Sequence, residues 1–220
     1  MHHVIQEQAR ALAAARAGLD PQRVLEDAVA IQQIPSPTFE ELRRAEFLKD
    51  RFVEACLQDV EMDAVFNVYG RWPGKYPDRP AVMVSAHIDT VFPLATDLTV
   101  RREGERIFGP GMGDNSLGAA GLLALAGVLR KFDIHPAADV WFVADSREEG
   151  LGDLGGMRAV LPSASTSLSA PQYEPMARAS SCPCQTNPYW VIFLASNPSW
   201  SAVLPFASTV SFIATFCSVA

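Results

Sequence analysis

Five residues in the middle of the chain have side chains that could hold a metal ion and move a proton: His87, Asp89, Asp114, Glu148 and Glu149. They fall in three clusters, SAHIDTVFP (Ser85–Pro93), GPGMGDNSLG (Gly109–Gly118) and DSREEGLGDLGG (Asp145–Gly156). Each cluster lies where an apolar run stops or a glycine-rich turn begins. Imidazole nitrogen and carboxylate oxygen are borderline donors that suit zinc, with cobalt or manganese also acceptable. In His87-Ile-Asp89 the polar side chains alternate, so an extended backbone sends both to one face. His87 can then bind metal while Asp89 orients the imidazole, or a neighbouring group, from behind. Asp114 sits in a glycine-rich turn just before a helix, where a carboxylate could bridge two ions. Glu148 and Glu149 are adjacent, so their side chains diverge. One can coordinate metal while the other faces an attacking water as general base.

Singly, each cluster has a plainer reading. A histidine beside a strand is more often structural than a ligand, and an acidic pair before glycine is usually a solvated turn. GPGMGDNSLG could be a tight turn or a phosphate cradle, although it fits neither G-x-G-x-x-G nor G-x-x-x-x-G-K-[ST]. It is their joint placement at strand ends that points to a site.

The elements that must position them alternate in type. Asp20-Pro21 reads as an N-cap with proline at the first helical position, opening a helix with Val24, Ala28 and Ile31 on one face. Ile5 to Ala17 reads as an alanine-rich helix before it. IPSPT (Ile34–Thr38) stops the second helix. Thr38 and Glu41 suggest a capping box for a third, with Leu42, Leu48, Phe52 and Cys56 along one side. Its other face, with Glu41, Arg43, Arg44, Glu46, Lys49 and Asp50, is expected to be solvated. Asp59 to Tyr69 reads as strand and GRWPGKYPDRP (Gly70–Pro80) as a surface turn. The continuous apolar runs Ala81–Ala86 and Val140–Ala144 predict central strands covered on both faces. Between them come a hairpin over Leu98–Phe108, turning near Glu103-Gly104, and a buried apolar helix over Leu117–Phe132. This predicts an α/β sandwich. In such sheets chemistry gathers beyond the carboxyl ends of strands, which is where His87, Asp89, Glu148 and Glu149 fall.

Composition narrows the function classes. A net charge of −7 argues against a nucleic-acid partner. The N-terminus shows no apolar run of secretory type. Four cysteines in 220 residues are no disulfide framework, and Cys182-Pro-Cys184 is too short for a redox or zinc pair. Cys56 is expected to be a small core residue. A reducing, cytoplasmic setting follows as the expectation.

The three clusters, in this order and spacing, resemble the co-catalytic di-zinc metallopeptidase family of aminoacylases, peptidase T and glutamate carboxypeptidase. The matching residues are His87-Ile-Asp89, Gly109-Pro-Gly-Met-Gly-Asp114 and Glu148-Glu149-Gly150, supported by IPSPT, FNVYGRWPG (Phe66–Gly74), DTVFP and GLGDLGGMRA (Gly150–Ala159). The resemblance runs from about Leu25 to Leu161. It implies a mixed central sheet sandwiched by helices and two zinc ions, with Co2+ or Mn2+ as substitutes. His87 would bind one ion, Glu149 the other, and Asp114 would bridge them. Glu148 would be the general base and Asp89 would tune the site from behind His87. A cis peptide is implied at Asp114-Asn115. The reaction would be hydrolysis of a peptide or N-acyl amide bond in a small peptide or N-acyl amino acid.

The chain also departs from the family pattern, which includes a lid domain, a further acidic ligand after E-E-G and a histidine near the C-terminus. No histidine follows His135, and only Glu174 could serve as the acid. Residues 1–161 therefore read as a partial catalytic domain without its lid. Residues 162–220 read as a tail outside the family, Ser/Pro-rich and then apolar. All 14 glycines lie at or before Gly156, and from Pro162 on only Glu174 and Arg178 are charged. Such a break suggests a disordered segment, or one from a shifted reading frame or aberrant splice. Ala202–Val219 is only marginally long enough to hint at a membrane span; Pro205 and the lack of a basic flank count against one, so a membrane partner is not expected. The rival reading is a catalytically inactive metal-binding or interaction fragment, which in one form is membrane-associated through its C-terminal tail.

Overall fold

The computed structural model describes residue 13, residues 16–104 and 106–160, and the backbone of two short segments, Trp190–Phe193 and Phe216–Ser218. The expected helix over Ile5–Ala17 lies almost wholly outside the described residues. So do Glu174, the Ser/Pro-rich stretch, the Cys182–Cys184 pair and most of Ala202–Val219.

Helix α1 is Pro21–Gln32, and Asp20 caps it by accepting from the N–H groups of Gln22 and Arg23. Helix α2 is Leu42–Glu54. Strands β1 (Gln58–Met62) and β2 (Val68–Trp72) form an antiparallel pair, followed by β3 (Val82–His87). A small separate hairpin, β4 (Arg101–Glu103) and β5 (Arg106–Phe108), turns at Gly104 as the sequence suggests. A wide turn over Met112–Ser116 leads into α3 (Leu117–Lys131), then β6 (Val140–Asp145) and the short α4 (Gly155–Val160). The two C-terminal segments are strands β7 (Trp190–Phe193) and β8 (Phe216–Ser218).

The main sheet has the order β1-β2-β6-β3-β7-β8. The β6–β3 and β3–β7 pairs are parallel and the outer pairs antiparallel, so the sheet is mixed. Strand alternation divides the core into two. Val84, Ala86, Val140, Phe142 and Ala144 face α1, α2 and α3, while Met83, Trp141 and Val143 face Met157 and Val160 of α4. This is a helix–sheet–helix sandwich. Helix α3 explains its own apolarity: it packs on α1 and β3, with Ala119, Ala120, Leu122 and Ala126 fully buried. With the turn before it, this helix is long and apolar enough to cross a membrane, but burial inside the sandwich accounts for that composition.

Four expectations are corrected. The strand read over Asp59–Tyr69 is broken by a turn in which the Asp63 carboxylate accepts from the N–H groups of Val65 and Asn67. Gly70, Arg71 and Trp72 then belong to β2 rather than to a surface turn, because they pair with Phe142, Trp141 and Val140 of β6. Cys56 is exposed, just past the end of α2 with φ 62°, and is not a core residue. The buried stripe of α2 is also rotated. It runs Glu41, Arg44, Ala45, Leu48 and Phe52, and Leu42 is exposed.

Candidate metal centre

The parallel register of β3 and β6 sets His87 opposite Asp145, so both strands end at the same edge of the sheet. The Ile88 N–H continues the ladder onto Asp145 O at 2.8 Å while its side chain is buried in the core, leaving His87 and Asp89 to turn toward the edge. His87 Nε2 lies 3.0 Å from Asp114 Oδ1 and 4.0 Å from Glu148 Oε2. Its Nδ1 lies 3.6 Å from Asp89 Oδ1, ion-pair range but beyond a hydrogen bond. His87, Asp114 and Glu149 each offer one ligand atom, and these atoms all lie within 4.8 Å of one another. The Asp114-Asn115 peptide is cis.

The turn that carries Asp114 is anchored from α1. Gln32, fully buried, donates through Nε2 to Leu98 O at 3.1 Å and Pro110 O at 2.9 Å. Gly111 has φ 68°, and a Cβ there would meet Thr90 Cγ2 at 2.9 Å, so glycine is required on both counts.

The segment Ser146–Glu149 has no regular structure, yet each of its four N–H groups ends on a buried side chain. Ser146 N–H donates to Asn67 Oδ1 at 2.9 Å, and Arg147 N–H to Glu41 Oε1 at 3.1 Å. Glu148 and Glu149 N–H donate to Asp89 Oδ1 and Oδ2, both at 2.9 Å. The Thr38 hydroxyl completes the Asp89 shell, donating to Oδ2 at 2.8 Å. With its backbone held in this way, the Glu148–Glu149 pair can present its carboxylates to the edge.

Electrostatics follow from crowding acids around one imidazole. Burial alone would push His87 down, but the Asp114 and Asp89 contacts and the charges of Glu148 and Asp145 outweigh it, and His87 rises to about 10. Burial likewise works to raise Asp89. The His87 contact, the two backbone N–H donors and Thr38 reverse it and hold the carboxyl below its usual range. Glu149 is raised, by burial first and by the nearby Asp114 charge second. Several anions facing one histidine are what a cation would relieve. A spread of 4.8 Å between donors accommodates one divalent ion, or a bridged pair at the usual separation of about 3.5–4 Å. The donor set of nitrogen and carboxylate oxygen fits zinc.

All five residues singled out in the sequence thus converge. What the sequence reading missed is the support beneath them. Thr38 and Glu41 form no capping box: α2 has no side-chain cap, Thr38 turns to Asp89, and Glu41 is fully buried under the site. Arg44, expected in solvent, is 2% exposed and donates to Ile34 O and Ile88 O. A signal for Glu41 existed. Counting back from Phe52, Leu48 and Ala45 at helical spacing puts Glu41, not Leu42, on the buried stripe.

Residues 67–170 match the model of peptidase family M28. Among solved structures, the aminopeptidase PepT from Bacillus cereus superposes with a TM-score of 0.55 at 21% identity, over 64% of this chain and 40% of its own. A tripeptidase from Staphylococcus aureus gives 0.54 at 22% identity, over 64% and 41%. LapA from Legionella pneumophila gives 0.52 at 19%, over 70% and 41%. The chain therefore spans about two fifths of the length of these structures, and at such identities the likeness is one of fold. Comparison with curated proteins gives no match. The M28 match runs through all three clusters, and the fold likeness to these structures takes in the sheet beneath them.

Proposed function

We propose that the chain serves metal-dependent hydrolysis of peptide or N-acyl amide bonds in small substrates. The observation that carries this reading is the convergence of ligand atoms from His87, Asp114 and Glu149 within 4.8 Å, with Glu148 alongside. His87, Asp114 and Glu149 would hold the ion, zinc by donor type, with Asp114 shared where a second ion is bound. A divalent ion there supplies Lewis acidity, polarising the scissile carbonyl and lowering the pKa of water.

The other steps fall to the chain's own groups. Glu148 has its backbone tied to Asp89, while its side chain is 35% exposed and 4.0 Å from His87 Nε2. Its carboxylate can take a proton from water on one side of the site and deliver it to the leaving amine. Asp89, fully buried, lies 3.6 Å from His87 Nδ1, close enough to pair with the ring and leave Nε2 facing Asp114 and Glu148. It touches no substrate and acts by position.

The test is metal uptake and hydrolysis on the same samples. The full chain, loaded with Zn2+ or Co2+, is assayed against di- and tripeptides and N-acyl amino acids. Glu148→Gln should keep the metal and lose about 10²–10⁴-fold in rate, the worth of a general base. A wild-type chain that binds metal but hydrolyses none of these, or a Glu148→Gln variant as fast as wild type, would overturn the assignment.

A further inference from the structure

Beneath the proposed site lies a buried acid that the reaction does not use. Glu41 sits at the N-terminal end of α2, with no exposure to solvent. One oxygen, Oε1, accepts from Phe39 N–H at 2.9 Å and from Arg147 N–H at 3.1 Å. The other, Oε2, is buried with no hydrogen-bond partner. An isolated helix start does not need a buried carboxylate there, since the first-turn N–H groups are served equally well by an exposed cap. Burying one without full hydrogen bonding is costly. The cost is offset by what Oε1 joins: the turn before α2 and the backbone immediately before Glu148.

We infer that Glu41 is a positioning residue for the Glu148–Glu149 pair, acting through the Arg147 N–H. The inference rests on the functional reading above, in which Glu149 is a ligand and Glu148 the base. Three observations carry it. First, Arg147 N–H is the one donor between Ser146, fixed by Asn67, and Glu148 and Glu149, fixed by Asp89, and Glu41 alone holds it. Second, the strip that carries Glu41 is itself fastened to β3. Thr90 N–H donates to Ser36 O at 2.9 Å, Pro37 bridges Thr90 in parallel, and Thr38 reaches Asp89. Third, Arg44, one turn on, locks the same strip by holding Ile34 O and Ile88 O. The strip therefore runs across the ends of β3 and β6 and ties His87-Ile-Asp89 to Glu148-Glu149 at a fixed spacing. Without the Arg147 link, the acidic pair would keep its bonds to Asp89 and to the turn that follows it but lose its tether to α2, loosening the spacing between Glu149 and the other two donors of the metal group.

The variants are Glu41→Ala, Glu41→Gln and Leu129→Ala, all in the full chain. Glutamine keeps an acceptor at Oε1, and Leu129 is a buried core residue on α3 outside the site. Two readouts are taken on folded protein. Co2+ affinity, followed by its visible absorption, should fall about 10-fold or more in Glu41→Ala, as for other residues that orient metal ligands. It should stay near wild type in Glu41→Gln and in Leu129→Ala. Amide hydrogen exchange at Arg147, Glu148 and Glu149, measured without metal, should speed up about 10-fold in Glu41→Ala only. Equal affinity and equal exchange in Glu41→Ala and wild type would overturn the inference, as would Leu129→Ala matching Glu41→Ala on both. If wild type takes up no Co2+, the metal reading fails by itself. The exchange data then still decide whether Glu41 holds the pair.

Discussion

The guanidinium of Arg44, on α2, donates through Nη1 to the backbone carbonyl of Ile88 at 2.8 Å, in the middle of the His87-Ile-Asp89 motif. Its Nε and Nη2 reach Ile34 O, at 3.0 and 2.5 Å, and among the described residues no carboxylate is bonded to it. The buried cation is instead set in the field of Asp89, while burial draws its pKa down to about 10. Arg44→Met should therefore destabilise the fold by about 2–4 kcal/mol, because it strands buried carbonyls that nothing else can reach. Arg44→Lys should recover only part of this, since one ammonium cannot span both carbonyls. Urea unfolding checks both variants, and a Met variant as stable as wild type would show that the carbonyls find other partners.

A ligand that binds only the folded chain raises its stability by mass action, about 2.7 kcal/mol at 100 times its Kd. Zn2+ or Co2+ should therefore raise the melting temperature of the wild type, and a chelator should reverse the shift. His87→Ala and Glu149→Gln should abolish most of the shift, the first by removing a nitrogen donor and the second by removing a ligand's negative charge. Glu148→Gln should keep it, which separates ligand from base without an activity assay.

The outline of the fold was legible because its signals are local. Ala81–Ala86 and Val140–Ala144 are continuous apolar runs, and such runs belong in strands covered on both sides. Asp20-Pro21 announced α1 through cap chemistry confined to four residues. The site's outer residues were legible because three metal-competent clusters fall together at strand ends, although each alone has a plainer reading. What the sequence did not disclose is the layer beneath. Arg44 and Asn67 look like surface residues by type, and contacts across the fold, such as Asn67 to Ser146, put them inside; Glu41 had only its place on the buried stripe of α2 to signal its contact with Arg147. Thr38 misled because a Thr-x-x-Glu pattern satisfies the capping rule locally, while here its hydroxyl goes to a carboxylate far along the chain.

Asp145 makes the stability of the metal-free protein depend on pH. It is buried against Ser85, and burial, partly opposed by the Ser85 hydroxyl and the His87 charge, lifts its carboxyl from 3.8 to about 6. A raised folded-state pKa means stability that is fully present below the unfolded value and lost as pH rises through the folded one. The metal-free protein should therefore lose about 2 kcal/mol between pH 4 and pH 6.5 from this group. His87 does not contribute in that window, since its folded value of about 10 and ordinary value of 6.5 both lie at or above it. Asp145→Asn should flatten the profile over the same range. Denaturant titrations on chelator-treated protein at the two pH values are the measurement, and an unchanged slope in the variant would refute the assignment.

Two glycines should respond in opposite ways to the same substitution. At Gly156, in the first turn of α4, an added Cβ would lie 2.0 Å from Ser146 O and 2.6 Å from Asn67 Oδ1. Both atoms belong to the brace that holds the segment leading into Glu148, and neither can retreat without breaking the Ser146–Asn67 bond. Gly156→Ala should cost about 2–3 kcal/mol from overpacking. It should also weaken metal uptake, because the displaced backbone carries the acidic pair. Gly127 lies on the exposed side of α3, with no atom within 4 Å of the position a Cβ would take. There alanine should stabilise by about 0.5–1 kcal/mol through helix propensity, with metal affinity untouched. Urea unfolding paired with Co2+ titration reads both effects. Loss of stability at Gly156 without loss of metal would separate the packing of α4 from the geometry of the site.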